Sequence, residues 1–283
     1  LLNEHGNLKA EATLANLSEE TIWYGSAAAS EFHDMDWLQQ HLPEDGSVEI
    51  RSRTNDDTIL VIAGPKSRDV LSAVSREDWS KEAFPWLSVR KAFIGIAPAV
   101  VMSVSFSGEL AYEIHVPNTQ LYAAYLALRK AGEAHGMKLF GSMAVESMRL
   151  EKGYRHWKAD LITEFDPFES ALERFVKLDK PGFIGQDALR ARQAEGPRRK
   201  FVSLVLDCTH APAQWGDSIL AAGGTCIGTV TSAGWGHRTG QNIAMGFVDP
   251  AFGAMGTALL VEVIGEPVPA TVVASDLYDP EYA

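Results

Sequence analysis

The sequence has 283 residues, 46% of them hydrophobic, which is enough apolar material for one large or two ordinary domains with a sizeable core. Its formal charge of −12 argues against a nucleic-acid binder, whose affinity comes from clustered Lys and Arg; the single basic run, Arg198-Arg199-Lys200, reads as a solvated linker. No apolar run reaches the roughly 18 residues a membrane span needs, and the two cysteines, Cys208 and Cys226, fit a reducing compartment rather than a disulfide framework.

The chain opens on Leu1-Leu2-Asn3-Glu4-His5-Gly6-Asn7, which reads as a strand and turn inside a longer protein, with no charged-then-apolar signal segment before it. Ala10 to Leu17 alternates around a strand, and Thr21 to Gly25 makes a second. Ser30 is the expected N-cap of a helix to about His41, with Phe32, Met35, Trp37 and Leu38 on one side. Pro43 to Gly46 is a turn, and Arg51 to Ile62 reads as a strand pair broken at Asn55-Asp56-Asp57. Gly64-Pro65 is expected to open a helix through Val74. Val89 to Phe106 reads as one long β stretch, and Ala111 to Val116 returns from it as a hairpin across Ser107 to Leu110. Asn118 is expected to cap a helix from Thr119 to His135, and a further helix runs from about Met143 to Lys152, stopping at Gly153.

Ala194-Glu195-Gly196-Pro197-Arg198-Arg199 marks a domain boundary, giving domains at 1–195 and 196–283. Six short β runs follow it: Val202–Leu206, Ser218–Leu220, Thr225–Ser232, Ala244–Val248, Ala258–Val263 and Val268–Ala274. That spacing predicts a small antiparallel barrel or sandwich.

Three groups of residues stand out chemically. Glu11 lies in a strand with apolar edges; sharing a face with Lys9, it fits either an outward-facing surface carboxylate or a site residue. Glu113 shares a strand face with Ala111 and His115, while Tyr112, Ile114 and Val116 take the other. A carboxylate there is either an exposed edge residue or an acceptor for two parallel N–H donors of a planar heterocycle. Arg149 is three residues from Glu146 and expected to form a solvated pair with it, and Tyr154, Arg155, His156 and Trp157 crowd the same helix end. Trp157 alone reads as core. None of the eight histidines lies three or four residues from another, so no metal site is expected. Gly234 to Gly240 lacks the third glycine and the following helix of a dinucleotide loop, and neither a P-loop nor a Gly-x-Ser-x-Gly elbow occurs.

The ordered segments LLNEHGNLKAEATL, GPKSRDVL, SFSGELAYEIHVP, ESMRLEKGYRHWKADL, DKPGFIGQDAL and EPVPATVVASDLYDP cover nearly the whole chain. Together they resemble the glycine-cleavage T-protein (aminomethyltransferase) family, and within it the C-terminal folate half of dimethylglycine and sarcosine dehydrogenases. The resemblance implies an α+β fold: folate-binding subdomains, incomplete at the N-terminus, followed by a C-terminal antiparallel β-barrel. It also implies a tetrahydrofolate site and methylene transfer from an N-methyl amine, oxidised to an iminium, to give 5,10-methylenetetrahydrofolate. FAD is then expected only on a preceding portion of the chain or on a partner, with no membrane or nucleic-acid partner and a cytoplasmic or mitochondrial-matrix location.

By position, the resemblance places the family's catalytic carboxylate on Glu11, where most T-proteins carry Asp. It places the pterin-gripping Glu on Glu113, an aromatic wall on Phe106, and the Arg facing the folate tail on Arg149, with Val145 where a second family Arg stands. Further aromatic contacts fall on Trp157 and Trp23, with Tyr24 beside the latter. Two alternatives remain at this point: a stand-alone aminomethyltransferase of glycine cleavage, and a non-catalytic folate-binding protein of the same fold. The second resembles proteins with a Lys-Gly-Cys-Tyr motif, where this chain has Lys152-Gly153-Tyr154.

Overall fold

Alternation of apolar and polar residues builds the first sheet. β3 (Asp57–Ala63), β4 (Val89–Ile94), β5 (Ala97–Met102) and β6 (Ala111–Pro117) pair antiparallel in the order β3-β6-β5-β4. A computed structural model describes residues 1–279, and Pro280, the last residue of the closing motif, lies outside them. In it the chain forms two compact units, Ala12–Gly141 on one hand and Leu1–Glu11 with the chain from Ser142 onward on the other.

In the Ala12–Gly141 unit, one face of the sheet presents Ile62, Ile94, Val101, Tyr112, Ile114 and Val116 to α2 (Ser67–Val74) and α3 (Leu121–Glu133), which contribute Val70, Leu71, Ala124 and Leu128. Each such residue, fully buried, stabilises the unit by about 1.5–3 kcal/mol. Trp79 and Phe84, from the α2–β4 connection, complete this core and pack edge-on at 5.0 Å. The unit also contains the hairpin of β1 (Ala12–Ser18) and β2 (Thr21–Ser26), and α1 (Glu31–Gln40).

Several expected boundaries move. Arg51 to Asp56 is irregular, its Arg and Asp side chains paired with one another rather than extended in a sheet, so only β3 forms there. The Val89–Phe106 stretch is two strands, because Gly95 at φ +62° turns the chain between β4 and β5. Asn118 does not cap α3; its side chain bonds the Asn55 carbonyl and the Thr58 hydroxyl, tying the strand end instead. α2 begins at Ser67, after a turn at Gly64-Pro65-Lys66 in which the Ser67 hydroxyl donates to the Gly64 carbonyl. On α1, Trp37 is buried but Phe32 is 86% exposed, so the inner stripe is narrower than its apolar residues suggest.

One core atom carries a cost. The Tyr112 hydroxyl is fully buried, lies near Arg68, and has no aligned hydrogen bond among the described residues, and burial raises its pKa. Tyr112→Phe is therefore expected to leave stability within about 1 kcal/mol of wild type or to raise it. A loss above that in urea denaturation would reveal a partner for the hydroxyl.

In the other unit, β7 (Lys200–Leu206), β8 (Ser218–Leu220), β9 (Cys226–Gly236), β10 (Gln241–Val248), β11 (Ala258–Val263) and β12 (Glu266–Val273) close into a barrel in the order β10-β7-β12-β11-β8-β9. Every neighbouring pair is antiparallel, and all six runs anticipated after Arg199 are present. Along β10, Ala244 and Val248 belong to the barrel core, while Ile243, Met245 and Phe247 face outward and pack with Leu150 of α4 (Ser142–Glu151). A helix covering the outer face explains why this strand is apolar on both sides. α5 (Gln186–Glu195) lies against the opening turn of the chain, with Leu189 under Gly6. No helix among the described residues is long and apolar enough to cross a membrane.

Candidate functional site

Strand period two decides where the candidate residues of the Ala12–Gly141 unit point. Tyr112, Ile114 and Val116 are consumed by the core, so Glu113 and His115 stand on the opposite face of β6. Cross-strand neighbours of Glu113 are Val61 on β3 and Met102 on β5; those of His115 are Ile59 and Val100. The Glu113 carboxylate thus has apolar residues on both sides, and Val61 and Ile59 are half exposed.

Glu113 remains 36% exposed at the side chain, whereas His115 is 5% exposed, and their Oε2 and Nε2 atoms are 3.4 Å apart. Trp23 of β2 meets the His115 ring edge-on, 5.4 Å between centroids. Over Trp23 lies the Arg53 guanidinium, 5.7 Å from the ring centroid and bonded at 2.6 Å to Asp57, a hydrogen bond that raises the arginine pKa. The result is an accessible carboxylate backed by a buried imidazole and an aromatic ring. Phe106 is 40% exposed in the connection that leaves β5 just after Met102, the partner of Glu113. Tyr24, next to Trp23 on β2, takes the other face of the hairpin and donates its hydroxyl to the buried Asp34 at 3.2 Å, so the two aromatics do not share a surface.

The remaining candidates lie in the other unit. Glu11 is exposed, at the end of a segment anchored by the Leu8 amide to the Phe165 carbonyl and by Asn7 to the Thr163 and Glu164 carbonyls. Trp157 is 5% exposed and buried, with Lys158 over its ring.

Arg149 is the principal departure from expectation. Instead of a solvated pair, it is 3% exposed and spans a buried network: Nε to Glu146 at 2.8 Å, Nη1 to Asp160 at 2.9 Å and to the Tyr154 carbonyl at 3.1 Å, and Nη2 to the Ser232 hydroxyl at 2.9 Å. Asp160 is fully buried and also accepts from Thr231 at 2.5 Å, Ser232 at 2.9 Å and the His156 amide at 2.8 Å. With its donors turned inward, Arg149 clamps α4, the 154–160 loop and β9 together.

Its neighbours behave alike. The Glu151 carboxylate accepts from the Arg238 and Thr239 amides and from the Arg238 guanidinium, and its carbonyl accepts from the Leu277 and Tyr278 amides. Lys152 is buried and paired with Asp279. Gly153, at φ +67°, sits where a Cβ would collide with the Ser275 carbonyl. The Arg-Leu-Glu-Lys-Gly segment is therefore the fastening of helix, barrel and C-terminal tail.

His115, Arg53 and Asp160 carried no assigned role in the sequence. His115 had one usable signal, its shared face with Glu113. Arg53 and Asp160 had none: nothing local links Arg53 to Trp23, which it overlies, or Asp160 to Thr231 and Ser232, which donate to it. Among the described residues, no group of three or more His, Cys, Asp or Glu side chains is placed to hold a metal ion.

Comparison with known proteins gives a consistent result. The model of the GCVT N-terminal domain matches residues 1–180, and that of the glycine cleavage T-protein C-terminal barrel domain matches residues 199–279. The chain is 30% identical to human mitochondrial dimethylglycine dehydrogenase over 279 residues, 98% of this chain but 32% of that protein. It is 34% identical over 226 residues to an aminomethyltransferase of Saccharopolyspora erythraea, covering 80% of this chain and 61% of that one. The crystal structure of the glycine cleavage system aminomethyltransferase T from Bartonella henselae superposes with a TM-score of 0.85 at 23% identity, over 99% of this chain and 75% of that one, a likeness of fold. The chain spans about a third of the length of the dimethylglycine dehydrogenases it matches.

Proposed function

The chain belongs to the glycine cleavage T-protein family, and from that premise we propose that it binds tetrahydrofolate and transfers a one-carbon unit to it from an N-methyl amine oxidised by a flavin-bearing portion of a longer protein or by a partner. The observation that carries the folate reading is Glu113: a mid-strand carboxylate, open to solvent between apolar cross-strand neighbours, whose one ionic neighbour among the described residues is His115. An ionised carboxylate is acceptor-only and matches the paired N–H donors on the edge of a pterin. Trp23, and Phe106 in its loop, supply aromatic surface for a flat ring. The half-buried, apolar-flanked setting fits the group, because a lone carboxylate there gains from a ligand donor what water supplies less well.

Tetrahydrofolate, when bound, supplies the ring nitrogens that take up carbon at the formaldehyde level. What the protein's own residues contribute is orientation, which lowers a barrier by roughly 7–11 kcal/mol when reacting atoms are held near attack geometry. Glu11, the exposed carboxylate on which the family resemblance places the catalytic role, is proposed to accept a proton released during transfer. Glu11→Gln should keep folate affinity within a few-fold and slow transfer by about 10²–10⁴-fold. A single-turnover rate equal to wild type would remove Glu11 from the mechanism.

The relationship to dimethylglycine dehydrogenases over nearly the whole chain favours an amine-oxidising context. The 34% identity to an aminomethyltransferase favours a second reading, in which the one-carbon unit arrives on a lipoyl arm. Calorimetric titration with tetrahydrofolate tests the reading common to both. Supplying dimethylglycine and a flavin partner, or an aminomethylated lipoyl carrier, then separates them by which one yields the one-carbon folate product.

A further inference from the structure

Glu113 reaches its site on a flexible side chain, and the strands beside it offer nothing polar to hold it: Val61 on one side, Met102 on the other. Two residues along the same face, the His115 Nε2 atom is buried and has no aligned hydrogen bond among the described residues. Oε2 of Glu113 lies 3.4 Å from it, just outside hydrogen-bond reach. Trp23 lies against the edge of the imidazole, and its cross-strand neighbours are the apolar Ile59 and Val100. Arg53 stands over Trp23 and is engaged by Asp57. A buried ring nitrogen facing a single carboxylate oxygen is costly unless that pair closes.

We propose that His115 is a positioning residue for Glu113: its Nε2–H engages one carboxylate oxygen when ligand binds, which fixes the plane of the carboxylate and leaves the remaining lone pairs to receive two donors from a planar heterocycle. Trp23 is the third member, because its ring packs edge-on against the imidazole and confines it. This inference rests on the folate reading above and extends it by naming what orients the gripping carboxylate. Physically, a pre-oriented Glu spares the ligand the rotamer entropy of freezing a long charged side chain. That entropy corresponds to about ten-fold in affinity.

The test measures tetrahydrofolate affinity by calorimetry on the full chain for wild type, His115→Phe, His115→Gln, Glu113→Gln and the double variant His115→Phe/Glu113→Gln, with thermal melting of each. His115→Phe preserves an aromatic ring against Trp23 and removes the donor; His115→Gln restores a donor of similar reach. The expected result is about ten-fold weaker binding in His115→Phe, recovery to within three-fold in His115→Gln, and no further loss when His115→Phe is added to Glu113→Gln. Wild-type affinity in His115→Phe, or additive losses in the double variant, overturns the proposal while leaving the folate site standing. If His115→Phe melts early, rescue by His115→Gln and the double-variant cycle still decide, since a purely structural role would weaken binding whether or not Glu113 is present. Failure of well-folded wild type to bind tetrahydrofolate overturns the folate reading itself, and this role with it.

Discussion

Asp160→Asn is expected to destabilise the barrel-containing unit by about 3 kcal/mol, because it leaves the buried Arg149 charge with only the part-exposed Glu146 carboxylate as counter-ion. The substitution keeps the shape of the side chain, so no cavity accompanies the loss. What disappears is a full negative charge that accepts from Arg149, Thr231, Ser232 and the His156 amide in a fully buried position. Urea denaturation followed by hydrogen exchange in β9 and β10 reads the effect, and a shift below about 1 kcal/mol would show that the network is not a source of stability. Replacing Arg149 and Asp160 together by apolar residues of similar volume should recover much of the loss, since a buried pair costs desolvation that an apolar pair does not. Were Arg149 instead a ligand-facing residue, Asp160→Asn would alter folate affinity more than stability.

Glu113→Gln is expected to weaken tetrahydrofolate binding by about two orders of magnitude without a comparable change in melting temperature. A hydrogen bond to a charged group contributes about 1.5–3 kcal/mol, and the amide turns one acceptor into a donor that faces the ligand's own N–H groups. The carboxylate is 36% exposed, so the larger penalties of fully buried ions do not apply. Because its cross-strand neighbours Val61 and Met102 make no polar contact that depends on the charge, folding should tolerate the change. A variant that binds within a few-fold of wild type would take Glu113 out of the site.

Glu113 and Arg149 show where sequence reading reaches and where it stops. For Glu113, the alternation Ala111-Tyr112-Glu113-Ile114-His115-Val116 is enough to place it opposite the core, and the structure puts Tyr112, Ile114 and Val116 in that core. Nothing in the spacing foretold that His115, on the outward face, would itself be buried, because Trp23 reaches it from another sheet. For Arg149, proximity to Glu146 suggested a surface pair, and that contact is present at 2.8 Å. The partners that reverse its meaning, Asp160 and Ser232, lie 11 and 83 residues away, and no local pattern links them.

The family resemblance and six strand runs were legible in the sequence, because ordered motifs and apolar runs between turn residues are local features. The spacing left barrel and sandwich open, the resemblance implied a barrel, and the structure closes one. What only the tertiary structure decided was which polar groups are taken out of water and with whom: Arg149 with Asp160, Glu151 with Arg238, His115 beside Glu113. The reason is that a charge or donor is worth little in solvent and much in a closed, low-dielectric interior, and closure depends on residues brought together from distant parts of the chain.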